Sequence, residues 1–146
     1  MPVKIASLEN IAPIKLAGRD LRWLVTPETI GAETLSVAIM NCHPHSIVRP
    51  MHAHRDIEEV ILILDGEGEA WVDGDRAFFR KGDAVLFPAN SRHQVRNTGD
   101  NPLRTASIFS APTKPGDYII YADDAFADAD QDSVGVKMAG LNVEHL

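Results

Sequence analysis

At 146 residues the chain is sized for one domain with a single core. Its 21 acidic against 14 basic side chains leave a net charge of −7, which argues against nucleic-acid phosphate or an anionic membrane surface as the main partner. Apolar residues at 45% and charged residues at 24% exclude a disordered or low-complexity chain.

Cys42 is the only cysteine, so neither an intrachain disulfide nor a cysteine-rich zinc site is available. The opening MPVKIASLEN has no apolar stretch of signal-peptide length, and no window approaches a membrane span. A soluble, cytoplasmic protein is the expectation.

Strand signals outnumber helix signals along the chain. Residues 1–30 are mixed, with Pro13 and Pro27 interrupting any long helix. Glu33 to Cys42 has strand-like composition, and HPHSIVRP then forms a proline-punctuated crossing into Met51. The run EVILILD reads as a strand ending at Gly66. EAWVD and RAFFRK flank Asp73-Gly74-Asp75, a strong hairpin signal. Ala84 to Phe87 is a short apolar strand closed by Pro88, and Gln94 to Asn97 leads into the turn formers of Thr98 to Pro102. LRTASIFS reads as a final strand before Pro112. Short strands with frequent turns point to an all-β sandwich or barrel. No 20-to-50-residue repeat argues for a solenoid or propeller.

After Pro115 the composition shifts. DDAFADADQD (residues 123–132) carries five aspartates and no basic residue. Asp128, Asp130 and Asp132 have calcium-loop spacing, but Ser133 stands where the loop needs glycine and Ala139 where it needs glutamate. A solvated acidic tail or short surface helix is the better reading.

The histidines carry the chemistry. His52 and His54 stand two apart, and on an extended strand both imidazoles project from one face. Glu58 and Glu59 follow. Glu59 shares the phase of Ile61 and Ile63, so it is the candidate inward carboxylate and Glu58 its solvated neighbour. A bend or bulge at Arg55 and Asp56 is expected, because His54 and Glu59 are an odd number of positions apart. His93 opens another strand in phase with Val95. Three imidazoles and a carboxylate make a nitrogen and oxygen donor set suited to Mn, Fe, Co, Ni or Zn. A bare His-x-His pair is weak by itself, since surface or hydrogen-bonded core histidines produce the same pattern.

The surrounding spacing resembles the cupin superfamily. Its first motif, G-x5-H-x-H-x(3,4)-E-x6-G, is met by His52, His54, Glu59 and Gly66, with Ser46 replacing the leading glycine. Its second, G-x5-P-x-G-x2-H-x3-N, is met by Gly82, Pro88, His93 and Asn97, with Asn90 replacing the inner glycine. Asparagine is the next-best residue for a left-handed turn. The resemblance covers roughly residues 34–112, and the 15 residues between Gly66 and Gly82 match the short inter-motif spacing of small microbial cupins.

That resemblance implies a double-stranded β-helix (jelly-roll) barrel with one divalent transition metal ion (Fe, Mn, Ni, Co or Zn) held by His52, His54, Glu59 and His93. It implies a single domain over 1–146, with an N-terminal arm (1–33) and an acidic C-terminal segment (113–146). The arm is available for packing or strand exchange in a homodimer, since an uncovered edge is a pairing liability. The expected function is a small metal-dependent enzyme on an oxygenated small molecule such as a keto-acid, diketone or sugar derivative. Dioxygenase chemistry comes first. The alternatives are an isomerase, decarboxylase or lyase on the same metal site, or a non-catalytic small-molecule-binding cupin; a storage-type scaffold does not suit the short chain.

Other features read as structure. His43-Pro44-His45 lacks the downstream glutamate and glycine, so it is loop. His145 is tail, and Cys42 is a small packing residue. Trp23, Trp71, Phe78, Phe79, Tyr118 and Tyr121 read as core or interface aromatics. Gly66-Glu67-Gly68 reads as a strand-to-strand turn. No side chain beyond the four ligand candidates stands out as a general base.

Overall fold

Eleven strands make up most of the regular structure in the computed structural model, which describes residues 1–127. In chain order they are β1 (Ile14–Leu16), β2 (Arg19–Val25), β3 (Ser36–Cys42), β4 (Met51–His54), β5 (Glu59–Asp65) and β6 (Glu67–Val72). They continue as β7 (Asp75–Arg80), β8 (Ala84–Phe87), β9 (His93–Asn97), β10 (Leu103–Phe109) and β11 (Tyr118–Tyr121). Among the described residues helix is confined to single turns, the longest being α1 (Pro27–Ile30), capped by the Thr26 hydroxyl.

The strands form two antiparallel sheets that face each other as a jelly-roll barrel. One has six strands in the order β1-β2-β3-β10-β5-β8, the other five in the order β11-β4-β9-β6-β7. Alternation explains the packing. In β3, Ser36, Ala38, Met40 and Cys42 are buried while the residues between them are half-buried. In β5, Glu59, Ile61 and Ile63 are buried, and Leu62 faces out. Each fully buried Ile contributes about 1.5–3 kcal/mol. A carboxylate on that same face has no such gain and requires polar partners.

The turns follow their chemistry. Asp73 (φ 46°) and Gly74 (φ 104°) join β6 to β7 with both central residues left-handed, as a two-residue hairpin requires. Asn97, 2% exposed, donates from its amide to the carbonyls of Cys42, His43 and Asn101 and accepts from Gly99 N–H. The last residue of the second motif thus fastens the turn cluster that follows it.

The structure departs from or adds to three expectations. His54 and Glu59 are not put in phase by a bulge in one strand. They lie on different sheets, and a turn with Asp56 at φ 57° carries the chain from β4 across to β5. Strand pairing also extends well outside residues 34–112. Within the N-terminal arm, β2 pairs with β3 and β1 with β2, so residues 14–25 add two strands to the six-stranded sheet, with β1 at its edge. At the other end β11 pairs with β4. Nor is the described part of the acidic segment solvated throughout: Asp123 is exposed, but residues 124–126 pack against the protein. There Phe126 is 1% exposed between Arg76 and Arg96, Asp124 binds Arg49 at 2.7 Å, and Ala125 N–H bonds Gln94. Asp128, Asp130, Asp132, Ser133, Ala139 and His145 lie outside the described residues.

Candidate metal centre

The site is built where the two sheets face each other. β4 supplies His52 and His54, and its neighbour β9 supplies His93, whose Cα is paired directly with that of His52. The opposite sheet supplies Glu59 at the start of β5. All four are buried, with exposures of 8%, 2%, 3% and 6% in the order His52, His54, His93, Glu59. Glu58 is exposed, as its opposite phase requires.

One ligand-type nitrogen from each histidine lies within 4.8 Å of those of the other two. The ring orientations are fixed from behind. Nδ1–H of His52 donates to the Pro50 carbonyl at 2.8 Å, and Nδ1–H of His93 to the Ser91 carbonyl at 3.1 Å. A carbonyl only accepts, so each Nδ1 carries a proton and each Nε2 is the nitrogen left for the cluster. Phe87 stacks flat on His93 with centroids 4.1 Å apart, and Phe109 meets the His54 ring edge-on at 5.0 Å.

Glu59 Oε1 is 3.1 Å from His54 Nε2 and 3.3 Å from His93 Nε2. These approaches are close but misaligned as hydrogen bonds, and both Nε2 atoms remain buried with no hydrogen-bond partner. An orphaned buried donor or acceptor is costly unless something else satisfies it. Adjacent ligands at right angles on one ion, each about 2.1 Å from it, stand about 3.0 Å apart. The spacing and orphaned nitrogens therefore fit a shared cation. The His52, His54 and His93 group is positioned for metal binding.

Electrostatics agree. Burial lowers the pKa of His52 well below its ordinary 6.5, and its neighbours His93 and His54 lower it further, so the ring is neutral. Burial alone would raise Glu59, but its contacts with His54 and His93 outweigh that and hold it far below the usual carboxylate range. A neutral His52 and an ionised Glu59 are protonation states that suit a metal ion.

A chamber of about 40 Å³ adjoins this cluster, bounded also by Arg19, Trp23, Met40, Ser107, Phe109 and Tyr118. Trp23 and Tyr118 also border a larger hollow of about 410 Å³, walled by Pro27, Pro112, Thr113 and Pro115. The Tyr118 ring meets His54 edge-on at 4.8 Å. Burial raises its phenol pKa, and the Glu59 carboxylate raises it further.

Residue composition and motif spacing missed Arg19, Trp23 and Tyr118 as site neighbours. A signal existed in RDLRWLV, where Arg19 shares the inward phase of Leu21 and Trp23. His43 and His45 lie in an exposed loop away from the cluster, with His45 Nε2 bonded to exposed Asp100 at 2.7 Å. Cys42 is fully buried beside the core, and its thiol is pushed up to about 11 by burial.

Comparison with known proteins supplies the relationship. The cupin domain family profile matches residues 38–109, the stretch that carries all four side chains. Protein SchB of Streptomyces halstedii is 31% identical over 101 residues, covering 69% of this chain and 72% of that one. Quercetin 2,3-dioxygenase of Bacillus subtilis (strain 168) is 43% identical over 47 residues, 32% of this chain but 14% of that longer one. In fold, oxalate decarboxylase of Lactobacillus farciminis, solved as a formate complex, superposes with a TM-score of 0.69. That match has 21% identity and covers 88% of this chain and 40% of the other. With the four ligand positions of the two motifs filled at the facing sheets and a relative matched over most of its length, the chain belongs to the cupin family.

Proposed function

We propose that this chain, folded as one cupin domain, holds a single divalent transition metal ion through His52, His54, Glu59 and His93. In this reading it is a small metal-dependent enzyme of dioxygenase type, acting on an oxygenated small molecule such as a keto-acid, diketone or sugar derivative. The observation that carries it is the convergence of orphaned, buried Nε2 atoms on an ionised carboxylate. The identity shared with quercetin 2,3-dioxygenase supports the dioxygenase assignment over the other cupin chemistries.

Such an ion supplies Lewis acidity toward a substrate oxygen and, if it is iron, one-electron chemistry with dioxygen. The chain's own residues do the rest. The Pro50 and Ser91 carbonyls hold the His52 and His93 rings in one orientation. Glu59 stays ionised and offsets positive charge in the chamber. Tyr118 keeps its phenolic proton. Trp23, Phe109 and Tyr118 narrow the chamber and limit water beside the cluster.

The test is metal analysis of the purified protein, followed by an oxygen-consumption screen of the iron-loaded form over keto-acids, diketones and catechols. Stoichiometric metal with substrate-dependent oxygen uptake supports the proposal. Metal without uptake moves the function to an isomerase, decarboxylase or lyase, or to small-molecule binding without turnover. No metal uptake removes the metal-enzyme reading altogether.

A homodimer is part of the same proposal. The outer face of the six-stranded sheet carries Leu62, Leu86 and Ile108 on adjacent strands, each 38–50% exposed. An apolar row of this kind is suited to a second copy. Light scattering on the eluting protein tests it, with twice the chain mass expected.

A further inference from the structure

Arg19 is the only cation bordering the inner chamber among the described residues. Its placement follows from β2, where pairing with Cys42 of β3 turns its side chain inward with Leu21. It is 6% exposed. No described carboxylate oxygen lies within 4.0 Å of its guanidinium. Its contacts are Met40 Sδ at 3.7 Å and the Arg49 carbonyl at 3.5 Å, while its Nε has no partner. Arg49, by contrast, is paired with Asp124 at 2.7 Å.

A buried guanidinium without a counterion is an expensive thing to keep. Burial pulls its pKa down, with Glu59 too far away to pair but still favouring the charge. The planar fork has five donors matched to a carboxylate, and most of them are idle here. A divalent ion would deepen the imbalance. Three neutral imidazoles, one carboxylate, one ion and one guanidinium sum to a formal charge of about +2. Beyond the chamber the larger hollow offers Trp23, Tyr118, Pro27, Pro112 and Pro115 as apolar surface for a planar body, beside the polar Thr26, Glu28, Ser36, Thr113 and Lys114.

We propose that Arg19 is the anion-binding residue of the site, and that the substrate is an organic carboxylate. Its charged head enters the chamber beside the histidine cluster, and its planar body rests against Trp23 and Tyr118. As a statement about substrate this rests on the metal-enzyme reading above. The binding event itself can be tested without turnover.

The experiment is titration calorimetry of the full chain, metal-free and cobalt-loaded, with two pairs of charged and neutral isosteres: benzoate against benzamide, and acetate against acetamide. In the wild type benzoate should bind at least about 30-fold more tightly than benzamide. Arg19→Gln should weaken benzoate by about 30-fold or more and benzamide by less than about threefold, and Arg19→Lys should recover part of the loss. Cobalt content should be the same in all three. Without added carboxylate, Arg19→Gln should melt no lower than wild type, since it removes an uncompensated buried cation; a purely structural arginine would give a lower melt. Equal benzoate affinity in wild type and Arg19→Gln would overturn the proposal. So would the absence of a carboxylate preference in both isostere pairs, a comparison that needs only the wild type if the variant does not fold. Failure to take up cobalt sinks the metal reading alone, because the metal-free titrations still decide Arg19.

Discussion

Glu59 Oε1 and His93 Nε2 stand 3.3 Å apart although their strands belong to different sheets. The cluster is therefore a junction between the two walls of the barrel. An ion bound there would tie β5 to β4 and β9 and so stabilise the fold.

Replacing either end of that junction should show in metal content. His52→Ala and His93→Ala are each expected to lower metal affinity by at least about 100-fold. Far-ultraviolet circular dichroism should keep its β signature. Elemental analysis after dialysis is the check, and full occupancy in either variant would count against the ligand assignment. In the wild type, added metal at about 1,000 times its dissociation constant should add about 4 kcal/mol to unfolding stability, a gain that a 100-fold loss of affinity cuts to about 1.4 kcal/mol in either variant.

The two adjacent glutamates separate by phase. Glu59→Gln removes a buried charge that faces His54 and His93, and a loss of about tenfold or more in metal affinity is expected. Glu58→Gln alters an exposed side chain and should change stability by less than about 0.5 kcal/mol and metal content not at all. Equal losses in the two variants would mean that the carboxylate facing the cluster has been misassigned.

Acid should destabilise the metal-free protein. His52 in the folded chain has a pKa well below 6.5, through burial first and then its neighbours His93 and His54. Unfolded, the ring titrates near 6.5, so below that pH the unfolded state binds more protons. Stability is thus fully present above about pH 6.5 and falls as pH drops below it, with a slope of up to about 1.4 kcal/mol per pH unit for this proton. Glu59 acts in the same direction at lower pH, since its folded pKa lies below the ordinary 4.5. Urea midpoints between pH 7.5 and 5 measure this, and a flat profile would contradict a neutral buried His52.

Asn90 tests the departure from the second motif. It sits at φ 67°, and its amide accepts from Asp56 N–H at 3.0 Å and donates to Asp56 Oδ1 at 3.2 Å. It therefore does what the motif's glycine does and also ties the turn before β9 to the turn after β4. Asn90→Gly keeps only the backbone freedom and Asn90→Ala keeps neither property. Alanine should be less stable than glycine by about 1 kcal/mol in urea unfolding. The reverse order would show that the left-handed turn is not maintained.

Much of this was legible in the sequence because alternation and turn chemistry act locally. EVILILD displays the phase that buries Glu59 with Ile61 and Ile63, and Asp73-Gly74 specifies its own hairpin. The routes between sheets were not legible. Whether Arg55 and Asp56 bulge one strand or carry the chain to another depends on what the opposite sheet offers, which no local pattern encodes. The same holds for β11, whose YIIY has no alternation and is a strand because β4 presents an open edge. Arg19 was hidden differently. Its alternation with Leu21 and Trp23 was visible, but an arginine on an inward phase usually snorkels to solvent, and only the closed barrel keeps it inside.

Cys42 gives the barrel a built-in clock. Its sulfur is shut inside a strand flanked on both sides, and at neutral pH it stays a thiol rather than the reactive thiolate. An alkylating reagent can reach it only when that seam parts. The labelling half-life of this lone thiol, with and without added metal, therefore counts how often the barrel opens at that seam and whether an ion slows the opening.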